Sequence, residues 1–91
     1  MNETKRKFEK VIEGIILKKY PWIDSFMVQD YHSISGADYQ VYVYTDEASS
    51  KTIWENNDIP KLEEDIMNLF TMIGPNVHQR YIGLTVKIRK D

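Results

Sequence analysis

Tyr39-Gln40-Val41-Tyr42-Val43-Tyr44-Thr45 is the stretch whose reading decides the fold. Successive strand side chains face opposite sides of a sheet, so Val41 and Val43 point one way and Tyr42 and Tyr44 the other. The aliphatic side needs a cover, and the tyrosine side needs a reason. The runs on either side supply candidates for both.

Upstream, Trp22 to about Tyr31 reads as extended, with Phe26 and Val28 alternating against Ser25, Met27 and Gln29. His32-Ser33-Ile34-Ser35-Gly36-Ala37-Asp38 has the small and polar residues of a connection, which predicts a long-looped hairpin. Further back, Phe8, Val11, Ile12, Ile15 and Ile16 fall at helical spacing opposite Lys5, Glu9, Lys10 and Glu13. This predicts an amphipathic helix from about Glu3 to Lys19, stopped by Pro21, with Asn2 or Thr4 as cap and Lys18 and Lys19 complementing the dipole at its end. Gly14 is its weakest helix former, and close packing is the ordinary reason for such a glycine.

Downstream, Asp46 to Asp58 is polar and acidic but holds Ile53 and Trp54, so a short helical turn is expected. Asp58-Ile59-Pro60 reads as a helix entry, with Glu63, Glu64 and Asp65 near the positive end of the dipole. Leu62, Ile66, Leu69, Phe70 and Ile73 form its apolar stripe, closed by Gly74 and Pro75. In the last run, Tyr81 to Arg89, the alternation predicts Ile82, Leu84, Val86 and Ile88 inward and Tyr81, Thr85, Lys87 and Arg89 outward. The expected architecture is α+β in the order αββ(α)αβ. Two helices pack on one face of a three-stranded, mainly antiparallel sheet, in one domain over residues 1–91.

Composition bounds the rest. A chain of 91 residues that is 42% hydrophobic supports one core and argues against disorder. It holds no cysteine, which fits a cytoplasmic setting and leaves folding to burial, helped where needed by self-association. The charged start, with no long apolar stretch after it, reads as an unprocessed chain without a membrane segment. Lysine outnumbers arginine three to one and isoleucine is abundant, which suggests a low-GC bacterium or one of its phages. Counting Lys, Arg, Asp and Glu, residues 1–20 carry +3, residues 21–79 carry −8 and residues 80–91 carry +3. A basic nucleic-acid face would need the two ends to lie together.

The element order resembles the type II KH fold, where an N-terminal helix and strand precede a strand-helix-helix-strand core. That resemblance implies a GxxG loop between the core helices, where backbone approaches nucleic-acid phosphates. The corresponding junction here is Glu55-Asn56-Asn57-Asp58, with two carboxylates in place of the phosphate contact. No functional residue is carried over from the family.

The second sheet face is expected to gather Gln40, Tyr42, Tyr44, Tyr81, Thr85, Lys87 and Arg89, with Met27 and Gln29 beside them. Aromatic and basic side chains together suit a protein partner or a second copy of the chain. They also suit unpaired bases of RNA or DNA, with Lys5, Arg6 and Lys10 adding charge. Tyrosine is in any case a good strand former. Trp54 either packs down or stands out as an anchor for a partner, whereas Trp22 reads as a plug for the end of the core. His32 and His78 lie in separate connections without a second ligand at metal spacing, so no metal or other cofactor is expected. No nucleophile with its base and no phosphate loop is visible, and the four serines of the connections carry no mark of activation. The reading is a non-enzymatic interaction or assembly module, with no small-molecule substrate inferred. Its candidate partner-binding residues are Tyr42, Tyr44, Trp54, Tyr81, Lys87 and Arg89.

Overall fold

β2 (Gly36–Asp46) is the middle strand of the computed structural model, which describes residues 3–89. Its odd-numbered residues Ala37, Tyr39, Val41, Val43 and Thr45 are all buried, and the even-numbered ones from Asp38 to Tyr44 are half-exposed. β1 (Ser25–Ser33) pairs with it antiparallel and β3 (Gln79–Arg89) pairs with it parallel, giving the sheet order β1-β2-β3. A parallel pair cannot be joined by a tight turn. The crossover between β2 and β3 is made by α3 (Glu47–Glu55) and α4 (Asp58–Met72), so the sheet is mixed.

The expected helical turn after β2 is a full helix. The Asp46 carboxylate caps α3 by accepting from the Ser49 backbone N–H at 2.6 Å, and the helix buries Ile53. Two asparagines link it to α4, with Asn57 in the left-handed region at φ 60°. α4 presents Leu62, Ile66, Leu69 and Phe70 to the core, as its spacing predicts, and ends at Gly74.

The first helix departs from ideal geometry for a reason its sequence contains. Phe8, Ile12, Ile16 and Tyr20, each four residues apart, are all buried. On a regular α-helix a spacing of four drifts by about 40° per step and would carry the row off the core. Between α1 (Glu3–Val11) and α2 (Leu17–Lys19) the segment Ile12–Ile16 is a π turn, in which the Leu17 N–H donates to the Ile12 carbonyl. The wider turn keeps the row aligned and displaces Ile15, which is 45% exposed instead of on the inward stripe. Of the proposed caps, Asn2 lies outside the described residues, and Thr4 donates its hydroxyl to Gln79 Oε1 at 2.9 Å.

Two expectations about the strands need correction. The hairpin is tight: β1 continues through Ser33, β2 starts at Gly36, and only Ile34 and Ser35 form the turn. The strands extend because β3 also reaches this end. The Ala37 N–H donates to the His78 carbonyl at 2.9 Å, and a Cβ at position 36 would stand 1.9 Å from that oxygen. In β3, the pairing with β2 shifts between Tyr39 and Gln40, so that Tyr81 pairs with Tyr39 but Gly83 pairs with Gln40. Ile82 is the extra residue of a bulge, and Gly83 beside it has φ +152°. The bulge reverses facing, so Tyr81 turns inward and Ile82 outward at 50% exposure, while Leu84 and Val86 pack against the core.

The inner layer closes on an aromatic cluster. Phe8 meets Phe70 edge-on with centroids 5.1 Å apart, and Tyr39 and Tyr81 complete the group around Phe70 at 5.6 and 6.2 Å. Three variants test this layer by thermal unfolding. Phe8→Ala should cost about 3–5 kcal/mol. Gly36→Ala should also be strongly destabilising, because the added methyl overlaps the His78 carbonyl. Gly14→Ala, with open space around its Cβ, should be stabilising by up to about 1 kcal/mol.

Candidate functional site

The helices cover one side of the sheet, and the other side is built outward from Tyr42. Its strand neighbours are Met27 on β1 and Thr85 on β3. The Tyr42 hydroxyl donates to Gln40 Oε1 at 3.2 Å and lies 3.4 Å from the Tyr31 hydroxyl. The Gln40 amide donates in turn to Thr85 Oγ1 at 2.9 Å. Lys87 Nζ sits 5.2 Å from the centre of the Tyr42 ring, a cation over an aromatic face. This chain of contacts runs across all three strands and ties Tyr42 to Tyr31, Gln40 and Lys87.

Around this centre the surface is apolar at several points. Met27 is 42% exposed, Tyr31 46% and Ile82 50%. Tyr44, half-exposed, is flanked by Ser25 and Lys87. The cations are tethered: Arg80 forms a two-pronged pair with Asp38 at 3.1 and 3.3 Å, and Arg89 donates to the Ser25 hydroxyl at 3.0 Å. Lys87 and Arg89 lie toward the end of the face where β3 finishes.

The six residues selected from sequence therefore separate. Tyr42, Tyr44, Lys87 and Arg89 share the open face. Tyr81 does not, because the Ile82 bulge turns its ring onto Phe8 at 6.1 Å and its hydroxyl toward Glu63 of α4 at 3.2 Å. Trp54 stands out at 70% exposure, but on α3 and not on the sheet. Lys5, Arg6 and Lys10 lie on α1, in the helical layer. Lys5 pairs there with Asp30 at 3.4 Å, so α1 adds no charge to the open face. Two exposed members of the face, Tyr31 and Ile82, are absent from the set expected on it from the sequence. Continuing the alternation of Met27 and Gln29 by one step finds Tyr31. A lone glycine inside a strand, Gly83, is the bulge signal that finds Ile82.

A groove of about 1060 Å³ lies at the hairpin end, lined by Thr4, His32, Tyr39, Asn76, His78 and Gln79 among others. Its polar groups bond to one another. Gln79 accepts from Thr4 and from the Asn76 N–H at 3.2 Å and donates to the Tyr39 hydroxyl at 3.4 Å. His32 is held by Asp30, and the Ser33 hydroxyl lies against Ser35 instead of His32. This is a structural network and not a nucleophile with its base. Among the described residues no cluster of metal-ligating side chains occurs, and no helix is long and apolar enough to cross a membrane.

No protein-family model, curated protein or solved structure matches this chain.

Two phenols are shifted by their surroundings. Burial, reinforced by the Glu63 charge, pushes Tyr81 well above the ordinary tyrosine range. Burial also raises Tyr20, whose hydroxyl donates to Asp65 at 2.6 Å. The same contact, after the stronger hydrogen bond from Lys19, holds Asp65 below its usual range. A phenol whose folded pKa is raised stabilises the fold fully below its unfolded value of about 10 and loses that contribution as the pH rises above it. Stability measured by urea unfolding should therefore fall above about pH 10, and Tyr20→Phe and Tyr81→Phe should each make that fall shallower.

Proposed function

We propose that this chain is a non-enzymatic protein-interaction module of the cytoplasm, acting through the open sheet face. The observation that carries this reading is the one-sided cover. The first helix and α4 share one core cluster with the buried residues of β2, and Met27, Tyr31 and Ile82 remain 42–50% exposed on the face that carries Tyr42. Rigid tyrosines with an apolar centre and a rim of tethered arginine are the composition of protein interfaces. Holding Tyr42 by Gln40, Tyr31 and Lys87 lowers the ordering cost of binding.

The charge of the face favours a protein over nucleic acid. Arg80 is neutralised by Asp38, so among the described residues the cations there that form no ion pair are Lys87 and Arg89, both toward one end. Nonspecific nucleic-acid binding draws on several phosphate contacts along the strand. The observation that keeps the second reading, a single-stranded RNA or DNA binder, is Lys87 lying over the Tyr42 ring, which pairs a stacking surface with a phosphate ligand.

A photo-crosslinking side chain placed at Met27 should capture, in cells, a protein other than a second copy of this chain, and one at Asn68, on the solvent side of α4, should not. Tyr42→Ala or Tyr44→Ala should weaken that capture by roughly 30-fold, the scale of a hot-spot residue. Equal capture from both positions would overturn the proposal. Salt-sensitive nucleic-acid adducts from position 27 alone would transfer it to the second reading.

A further inference from the structure

The two edges of the sheet are not equivalent. β3 carries the features that discourage strand pairing: a bulge at Ile82 and the cations Arg80, Lys87 and Arg89 on one side of the strand. β1 has no register shift against β2 over its nine residues, and no proline. Its one carboxylate, Asp30, points toward the helices and is held by Lys5 and His32. The rest of β1 is neutral, counting His32 as uncharged, so one edge is guarded and the other is open.

We infer that β1 pairs antiparallel with β1 of a second copy of this chain about a twofold axis at Gln29, joining the two sheets into one of six strands. Gln29 is the central residue of Ser25–Ser33, so this register pairs every residue of the strand. On the outer face Met27 lies opposite Tyr31 of the second copy, a sulfur–aromatic contact made twice by the symmetry. Gln29 lies opposite Gln29, and Ser25 opposite Ser33. On the inner face Phe26 meets His32 and Val28 meets Asp30, so no two like charges stand opposite. Pairing β1 with β3 instead would set the bulge and the cations against a regular strand and leave the assembly without closure.

This inference deepens the reading of the open face as an interaction surface, but it rests on the strand edge and not on Tyr42 and Tyr44.

The chain has no cysteine, so single-cysteine variants report geometry without background. Size-exclusion chromatography with light scattering should give twice the chain mass of 10.8 kDa. Gln29→Cys should form a covalent dimer on mild oxidation, and Thr85→Cys on β3 should not. The double variant Met27→Lys with Tyr31→Lys places lysines opposite one another and should shift the mass to that of one chain, with the circular dichroism unchanged. Tyr42→Ala should remain dimeric. A single-chain mass at the highest soluble concentration, or faster cross-linking from Thr85→Cys than from Gln29→Cys, overturns the inference. If a monomer still shows Tyr42-dependent capture at position 27, the edge proposal fails and the face proposal stands.

Discussion

β2 is hydrogen-bonded along both of its edges, and the placement of everything else follows from its register. Because side chains alternate, a slip of one residue against either neighbour would put Tyr42 and Tyr44 under the helices and Val41 and Val43 in water. That alternative is heavily penalised. Val41, Val43 and Tyr39 are fully buried, and each aliphatic side chain of this kind is worth about 1.5–3 kcal/mol when removed from water. The one polar residue on the buried side, Thr45, is satisfied by donating to the Trp22 carbonyl at 3.0 Å, so the alternation holds to the end of the strand. The same contact fixes the entry of the chain into β1, where Trp22 stacks edge-on with Tyr20.

The bulge in β3 is where the two faces trade residues. Without it, strict alternation from Gly83 would put Tyr81 on the open face opposite Asp38 and Ile82 in the core opposite Tyr39. With it, the Tyr81 ring joins Phe8, Phe70 and Tyr39, and its hydroxyl reaches Glu63 on α4. Large aromatic rings fill the space between α1, α4 and the sheet better than an isoleucine there, and ring pairs add about 0.5–1.5 kcal/mol beyond their buried area. The exposed Ile82 is the consequence, an apolar side chain placed in solvent by the needs of the core. Core packing and surface chemistry are therefore coupled at one backbone irregularity.

The parts of the fold that were legible in the sequence are those governed by an unbroken period. α4 reads directly because Leu62, Ile66, Leu69 and Phe70 keep helical spacing between a proline entry and a glycine exit, and β2 reads directly because nothing interrupts its alternation. The parts that were not legible break a period by one residue. The π turn at Ile12–Ile16 shows only as a row at spacing four, which an ideal helix treats as imperfect. The tight hairpin was hidden by Ser33, Gly36 and Asp38, residues typical of loops that are held in strands here by the Ala37 bond to His78 and by the Arg80–Asp38 pair. Local propensity lost to long-range pairing at each of these points. The open face was anticipated in Met27, Gln29, Gln40, Tyr42, Tyr44, Thr85, Lys87 and Arg89. Tyr81 was misassigned because the period was carried through Gly83 without allowing for the extra residue.

The charge pattern along the chain has an intramolecular meaning. Lys5 pairs with Asp30, Lys19 with Asp65 at 2.8 Å, and Arg80 with Asp38, and each of these joins a basic terminal segment to the acidic middle. All three pairs are partly exposed, so each contributes at most about 1 kcal/mol, and their value lies in direction more than strength. They draw α1 to β1, the end of the first helix to α4, and the start of β3 to β2. A sequence with basic ends and an acidic centre is thus complementary to itself across the fold. The two basic ends do not merge into one patch, because Lys5, Arg6 and Lys10 lie in the helical layer while Arg80, Lys87 and Arg89 lie on the opposite side of the sheet. The electrostatic footprint that a phosphate backbone would need is divided between the two sides of the sheet. What remains on the open face is aromatic, with its cations tethered, and the proposed protein interaction rests on that composition.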